Sequence, residues 1–238
     1  MSARQNSLLE SVLPQIKPTA DDFVDNPILE IGFGAGEHMI NLACENPDKI
    51  VIGAEPFLNG VASLLSHISD DMGNILPEYK NIRIWPGDVR DLINPSPLPP
   101  SAREGGIPET NPVPISEKMK FSKIYILHPD PWPKSRHEKR RLCSAEFLTL
   151  IGSCLSTDGV IVIGTDHYDY FDWLLEQVKN NSQLTIHNAQ LDADNFDFFN
   201  IPEIGLNTRY MVKNKFGSLK PKYLLLGGFR PAEQKLPE

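Results

Sequence analysis

Long apolar runs are missing from this 238-residue sequence. No stretch of about 18 hydrophobic residues occurs, so no helical membrane span is expected. Cysteine is scarce: Cys44, Cys143 and Cys154 form an odd set without a CxxC or a Cys/His ligand spacing. That pattern argues against a disulfide framework or a structural zinc site and points to a reduced, cytoplasmic compartment. All three lie among apolar residues, which predicts burial rather than redox chemistry. The first ten residues, Met1 to Glu10, have no apolar core that would mark a signal peptide. Positive charge is lacking overall, with a formal net charge of -8, which taken alone argues against a nucleic-acid partner.

The distribution of charge says more than its sum. Lys134, Arg136, Lys139, Arg140 and Arg141 fall within eight residues, with Glu138 as the one acid among them. Arg209, Lys213, Lys215, Lys220 and Lys222 form a second stretch with no acid at all. A basic patch on an acidic body is a polarised surface, which keeps an RNA partner open.

With 40% hydrophobic residues the chain can bury one good core, and residues 1–238 are expected to form a single domain. Apolar runs at 26–31, 49–54, 82–85, 122–127, 160–164, 184–187 and 223–226 read as strands. Helical patterns lie near 38–44, 58–68, 145–155 and 168–179. Such alternation predicts an α/β protein with a largely parallel sheet covered on both faces. The last run follows a turn rather than a long crossover, so an antiparallel edge strand is expected there. Residues 94–116 break the pattern with seven prolines and the pair Gly105-Gly106, and are expected to form an extended, mobile surface loop inserted into the domain.

Leu29-Glu30-Ile31-Gly32-Phe33-Gly34-Ala35-Gly36 stands where a strand ends and a helix begins. Glycines there let the backbone turn sharply and approach a ligand closely. Gly32, Gly34 and Gly36 are spaced GxGxG rather than GxGxxG, and Glu37 puts an anion where a diphosphate would lie. Both features disfavour a nicotinamide dinucleotide and the oxidoreductase it would serve. Glu55 and Asp88 close the next two strands. In a doubly wound sheet, Glu30, Glu55 and Asp88 would line one crevice. Three carboxylates suit a ligand bearing an ammonium, a ribose diol, an adenine amine and a sulfonium, which S-adenosylmethionine combines. The expected division gives Glu30 the methionine amine, Glu55 the ribose and Asp88 the adenine edge.

The strand at 122–127 runs into His128-Pro129-Asp130-Pro131-Trp132-Pro133-Lys134-Ser135-Arg136-His137-Glu138-Lys139-Arg140-Arg141. Prolines around Asp130 restrict its backbone, so the carboxylate is held at the end of the fourth strand. A rigid acid–aromatic–basic series has little use in a core and much use at the edge of an active site.

The segments Glu30–Gly36, Glu55, Asp88, Pro129–Arg141 and Thr165-Asp166 together resemble the tRNA (guanine-N7)-methyltransferases, which modify the variable-loop guanine. The resemblance runs in order from about residue 26 to 229. It implies a Rossmann-like class I S-adenosylmethionine-dependent fold with a mostly parallel seven-stranded sheet and an antiparallel strand near the C-terminus. It implies cofactor contacts at Glu30, Gly32, Gly34, Gly36, Glu55 and Asp88, and a catalytic acid at Asp130. Guanine or tRNA contacts are implied at Lys134, Asp166, Thr208, Arg209, Tyr210 and Met211, with Arg136, Arg140 and Arg141 on phosphates. No metal is implied. The assembly is left open between monomer, homodimer and a pair with the noncatalytic subunit that some relatives require.

One departure stands out. The family pattern near the C-terminus is Thr-x-Tyr-Glu, whereas Thr208-Arg209-Tyr210 is followed here by Met211. Thr with Glu three residues later is also a capping box, so the family glutamate serves helix, substrate or both. If it serves the substrate, the rival to an active enzyme is a tRNA-binding protein with an impaired methyltransferase site.

Overall fold

The computed structural model describes residues 1–93, 119–179, 185–192 and 222–227. The proline-rich stretch 94–116 and the segment 208–211 lie outside them.

Strands β1 (Ile28–Ile31), β2 (Val51–Ala54), β3 (Ile82–Trp85), β4 (Phe121–Leu127), β5 (Leu155–Thr165), β6 (Thr185–Asp192) and β7 (Lys222–Gly227) form one sheet in the order β3-β2-β1-β4-β5-β7-β6. The first five are parallel to one another, and β7 runs antiparallel to both β5 and β6. This corrects the expectation of an antiparallel edge strand at the C-terminus. The antiparallel strand is β7, but it lies inside the sheet and β6 is the edge. The reason is hydrophobic: Tyr223, Leu224, Leu225 and Leu226 are all buried, so both faces of β7 need cover and both ladders need partners.

The buried residues divide into two clusters, one on each face. Helices α4 (Val89–Ile93), α5 (Ala145–Ser153) and α6 (Tyr168–Lys179) pack with Leu29, Ile31, Ile124, Ile126, Ile161 and Ile163. Helices α1 (Ala3–Ser11), α2 (Glu37–Glu45) and α3 (Leu58–Ile68) pack on the other face, around Ile28, Val51, Tyr125 and Val162. Alternate strand residues thus go to alternate faces, as the pleat requires. On that second face Leu64, Leu65 and Ile68 are fully buried, each contributing ~1.5–3 kcal/mol relative to exposure.

Three elements depart from the pattern expected from sequence. Helix α1 begins at a capping box in which Ser2 and Gln5 exchange side-chain-to-backbone bonds. Arg4 fixes it by donating to the carbonyls of Ser69 (3.2 Å) and Asp70 (3.1 Å), just past α3. Helix α5 stops at Ser153 rather than running to residue 155, because Phe121 donates its N–H to the Cys154 carbonyl and pairs with Leu155 in the ladder. The basic run is a 3₁₀ helix, Ser135–Arg140, too short to present one continuous face. Among the cysteines, Cys143 and Cys154 are buried as expected but Cys44 is exposed, on the solvent side of α2 near its end. Among the described residues, no helix is long and apolar enough to cross a membrane.

Candidate active site

The strand order reverses between β1 and β4, and a cavity of about 780 Å³ opens there, at the carboxyl ends of the strands. The loop after β1 forms its floor. Gly32, Gly34 and Gly36 adopt φ of +75°, +59° and +93°, angles that side-chain-bearing residues rarely take. A Cβ on Gly32 or Gly34 would meet nothing within 4 Å, so the inner side of this loop is an open cradle. Gly36 is different: a Cβ there would come within 2.6 Å of the Leu64 side chain.

Beneath the loop lies a glycine that the sequence reading passed over. A Cβ on Gly60, in the first turn of α3, would stand 2.3 Å from the Gly34 carbonyl. A glycine inside a helix costs ~1 kcal/mol relative to alanine, and that anomaly was the available signal.

Glu55, 4% exposed, ties the loop to β2. One carboxylate oxygen accepts the Gly34 N–H at 2.9 Å and the other accepts the Phe57 N–H at 2.8 Å. Burial pushes its pKa up, the two N–H bonds pull it down, and the charges of Glu30 and Asp130 raise it further. Glu30, 3% exposed, meets His38 with 3.0 Å between Oε2 and Nδ1. The carboxylate acceptor fixes the proton on Nδ1. His38 also packs edge-on against Tyr125, which stands beside Glu30 in the neighbouring strand. The sequence reading missed His38, whose signal was a histidine two residues past the third glycine, at the head of a helix.

Asp88 lies at the rim. Its carboxylate is gripped by Arg90, with contacts of 2.5 Å to a terminal amine and 2.9 Å to Nε. Its side chain is 38% exposed. Glu30, Glu55 and Asp88 therefore do line one cavity, but at unequal depth, and Asp88 arrives paired with an arginine.

The opposite wall is the loop after β4. His128 and Trp132 adopt φ of +51° and +39°, bracketing Pro129, Asp130 and Pro131. His128, Pro129, Asp130, Trp132 and Arg140 line the cavity, and Asp130 is exposed to it. The Arg140 guanidinium sits 5.0 Å from the centre of the Trp132 ring, and His137 packs edge-on against the same ring. Asp166 is not on the wall. It stands behind His128, with 3.5 Å between its Oδ1 and the imidazole Nδ1. Burial lowers the His128 pKa while Asp166 opposes that shift.

Lys134 and Arg136 are exposed and outside the cavity. Arg141, expected to face phosphate, turns inward, and its side chain is 10% exposed. From the second basic stretch Lys222 is described: it pairs with Thr165 in the sheet, beside Asp166, with Nζ 4.3 Å from the Tyr168 ring centre. Thr208, Arg209, Tyr210 and Met211 lie outside the described residues.

Residues 25–100 and 114–203 match the sequence pattern of the family described as "Putative methyltransferase". The tRNA (guanine-N(7)-)-methyltransferase of Caulobacter vibrioides is 33% identical over 229 residues, covering 93% of this chain and 87% of its own length. The enzyme of the same name from Sphingopyxis alaskensis is 36% identical over 203 residues, covering 76% and 77%. Among solved structures, the 16S rRNA methyltransferase KamB is similar in fold, with a TM-score of 0.55 at 14% identity over 92% of both chains. Identity at that level, over most of this chain and of its relatives, shows that this chain belongs to the tRNA (guanine-N7)-methyltransferase family.

Proposed function

We propose that this chain transfers the methyl group of S-adenosylmethionine to N7 of guanine in tRNA, and that the guanine is the one in the variable loop. The observation that carries this is the junction at Asp130. An exposed carboxylate forms the wall of a cavity whose far side holds Glu30 and Glu55, and the same loop continues directly into an exposed basic 3₁₀ helix.

The cavity fits S-adenosylmethionine by chemistry and by shape. The open cradle at Gly32 and Gly34 admits a ligand against the backbone. Glu55 spends one acceptor site per oxygen on the backbone and keeps the rest for a ribose diol. Glu30, with its His38 partner, offers a buried anion to an ammonium, and Asp88 at the rim is left for the adenine edge. When bound, this cofactor supplies an electrophilic methyl group on a sulfonium.

Guanine N7 carries an in-plane lone pair, so no proton must be removed before attack. The base becomes cationic as the new bond forms, and the Asp130 carboxylate stabilises that growing charge. Asp166, behind His128 and off the cavity wall, acts through that imidazole, whose far nitrogen is the acceptor for guanine N1–H, a donor that adenine lacks. Trp132 offers an aromatic face to a base swung out of its stack. Lys134, Arg136, Lys139 and Arg140 are the exposed cations of this run left to hold phosphates.

Incubation with labelled S-adenosylmethionine and unmodified tRNA tests the proposal, followed by borohydride–aniline cleavage, which cuts at 7-methylguanosine. One cut in the variable loop is expected. Cleavage elsewhere refutes the site, and label incorporated without cleavage refutes N7.

A further inference from the structure

Of the five cations between Lys134 and Arg141, four point to solvent and one does not. Lys134, Arg136, Lys139 and Arg140 are exposed. Arg141 turns its guanidinium beneath the loop after β4. Its Nε donates to the Pro131 carbonyl at 3.0 Å and a terminal amine donates to the Trp132 carbonyl at 3.4 Å. The guanidinium lies 4.9 Å from the ring centre of Trp173 and 5.9 Å from that of Tyr170, both on α6. Glu138 approaches another amine at 3.6 Å. The side chain therefore joins the loop to a helix in the core.

The other supports named for that loop act on its first residue: the His128 N–H donates to the Gly164 carbonyl at 2.7 Å, and Asp166 stands behind the imidazole. Pro129, Pro131 and Pro133 have no N–H to donate, so the loop has lost three backbone donors while keeping every carbonyl. His128 and Trp132 stand in left-handed conformations that non-glycine residues adopt at a cost, and such angles persist only when surroundings hold them. Two consecutive carbonyls presented together suit a planar fork of donors better than a point charge.

We infer that Arg141 is a positioning residue for Asp130: it clamps the Pro131 and Trp132 carbonyls onto α6 and does not contact phosphate. The inference rests on the role proposed for Asp130. Reaching a phosphate would require Arg141 to give up both carbonyl bonds and its place beside the two rings.

Arg141→Lys separates the alternatives, because lysine keeps the charge but loses the fork. The expected result is a fall of tenfold or more in the single-turnover rate at saturating tRNA and cofactor. Affinity for S-adenosylhomocysteine, affinity for tRNA and the salt dependence of tRNA binding should stay at wild-type values. In the double variant with Asp130→Asn, the second substitution should add little, since residues acting through one group are not additive. Wild-type turnover in Arg141→Lys overturns the inference, as does a fully multiplicative loss in the double variant. Arg141→Ala adds a second check: a salt slope reduced by about one, with turnover intact, would make the residue a phosphate contact. If Asp130→Asn alone turns over normally, the role proposed for Asp130 fails, whatever Arg141→Lys does.

Discussion

Gly32, Gly34 and Gly36 reach left-handed backbone angles in the loop after β1, and His128 and Trp132 do the same in the loop after β4. Only the first set does so without a side chain to accommodate. The half of the cavity proposed for the cofactor is therefore held through the backbone of its loop: the Gly34 N–H donates to the Glu55 carboxylate, and the Gly34 carbonyl lies close to Gly60. The half proposed for the substrate is held by side chains, among them Arg141 beneath the loop and Asp166 behind His128. A backbone-built site tolerates little added volume but needs few specific side chains. A side-chain-built site has the opposite weakness, since each support is a single residue that a mutation can remove.

The largest effect expected from breaking this contrast comes from Asp130→Asn. Removing the charge while keeping the shape should cost about 10²–10³ in single-turnover rate, with cofactor affinity by calorimetry almost unchanged. An equal loss of cofactor affinity would place Asp130 in the other half. Next is Gly60→Ala, where a methyl group would meet the Gly34 carbonyl at 2.3 Å. Overpacking of this kind costs ~1–3 kcal/mol, so S-adenosylhomocysteine affinity should fall roughly tenfold or more. A variant that binds normally would show that the loop is not backbone-limited.

Glu55→Ala should weaken cofactor binding by about 1–3 kcal/mol. It carries a pH signature as well. Burial raises the Glu55 pKa from its ordinary 4.5, so the folded protein holds this proton more tightly than the unfolded chain does. Stability of the ligand-free protein should then fall as pH rises from that value through the raised one. Melting temperatures across that range should show the fall in the wild type and a flatter profile in Glu55→Ala. The smallest effect belongs to Arg140→Ala, which should lower the slope of log K against log salt for tRNA by about one. An unchanged slope would mean that the stack on Trp132, not a phosphate, is what holds Arg140.

The same contrast governs what could be read from sequence. The glycine loop and the acids at the ends of β1, β2 and β3 were legible because each is a local event at a strand end. Helix α1 was missed although Ser2 and Gln5 spell its cap, because only Leu8 along its length is buried and the apolar period is weak. The inward turn of Arg141 was not legible, since Trp173 and Tyr170 are distant in sequence and nothing in a basic run marks which member is buried. The same holds for β7: its apolar run predicted a strand, but no local signal says that it lies between β5 and β6.

That placement has a consequence for synthesis. β5 waits for its second neighbour until residues 222–227 emerge from the ribosome, and β6 has no partner at all before then. At ~5–20 residues per second the wait lasts on the order of several seconds. During that interval the nascent chain carries a bare strand edge flanked by apolar faces, a template for pairing with another chain. Copies stalled just short of β7 are the ones holdase chaperones should capture, and release should coincide with the arrival of the final strand.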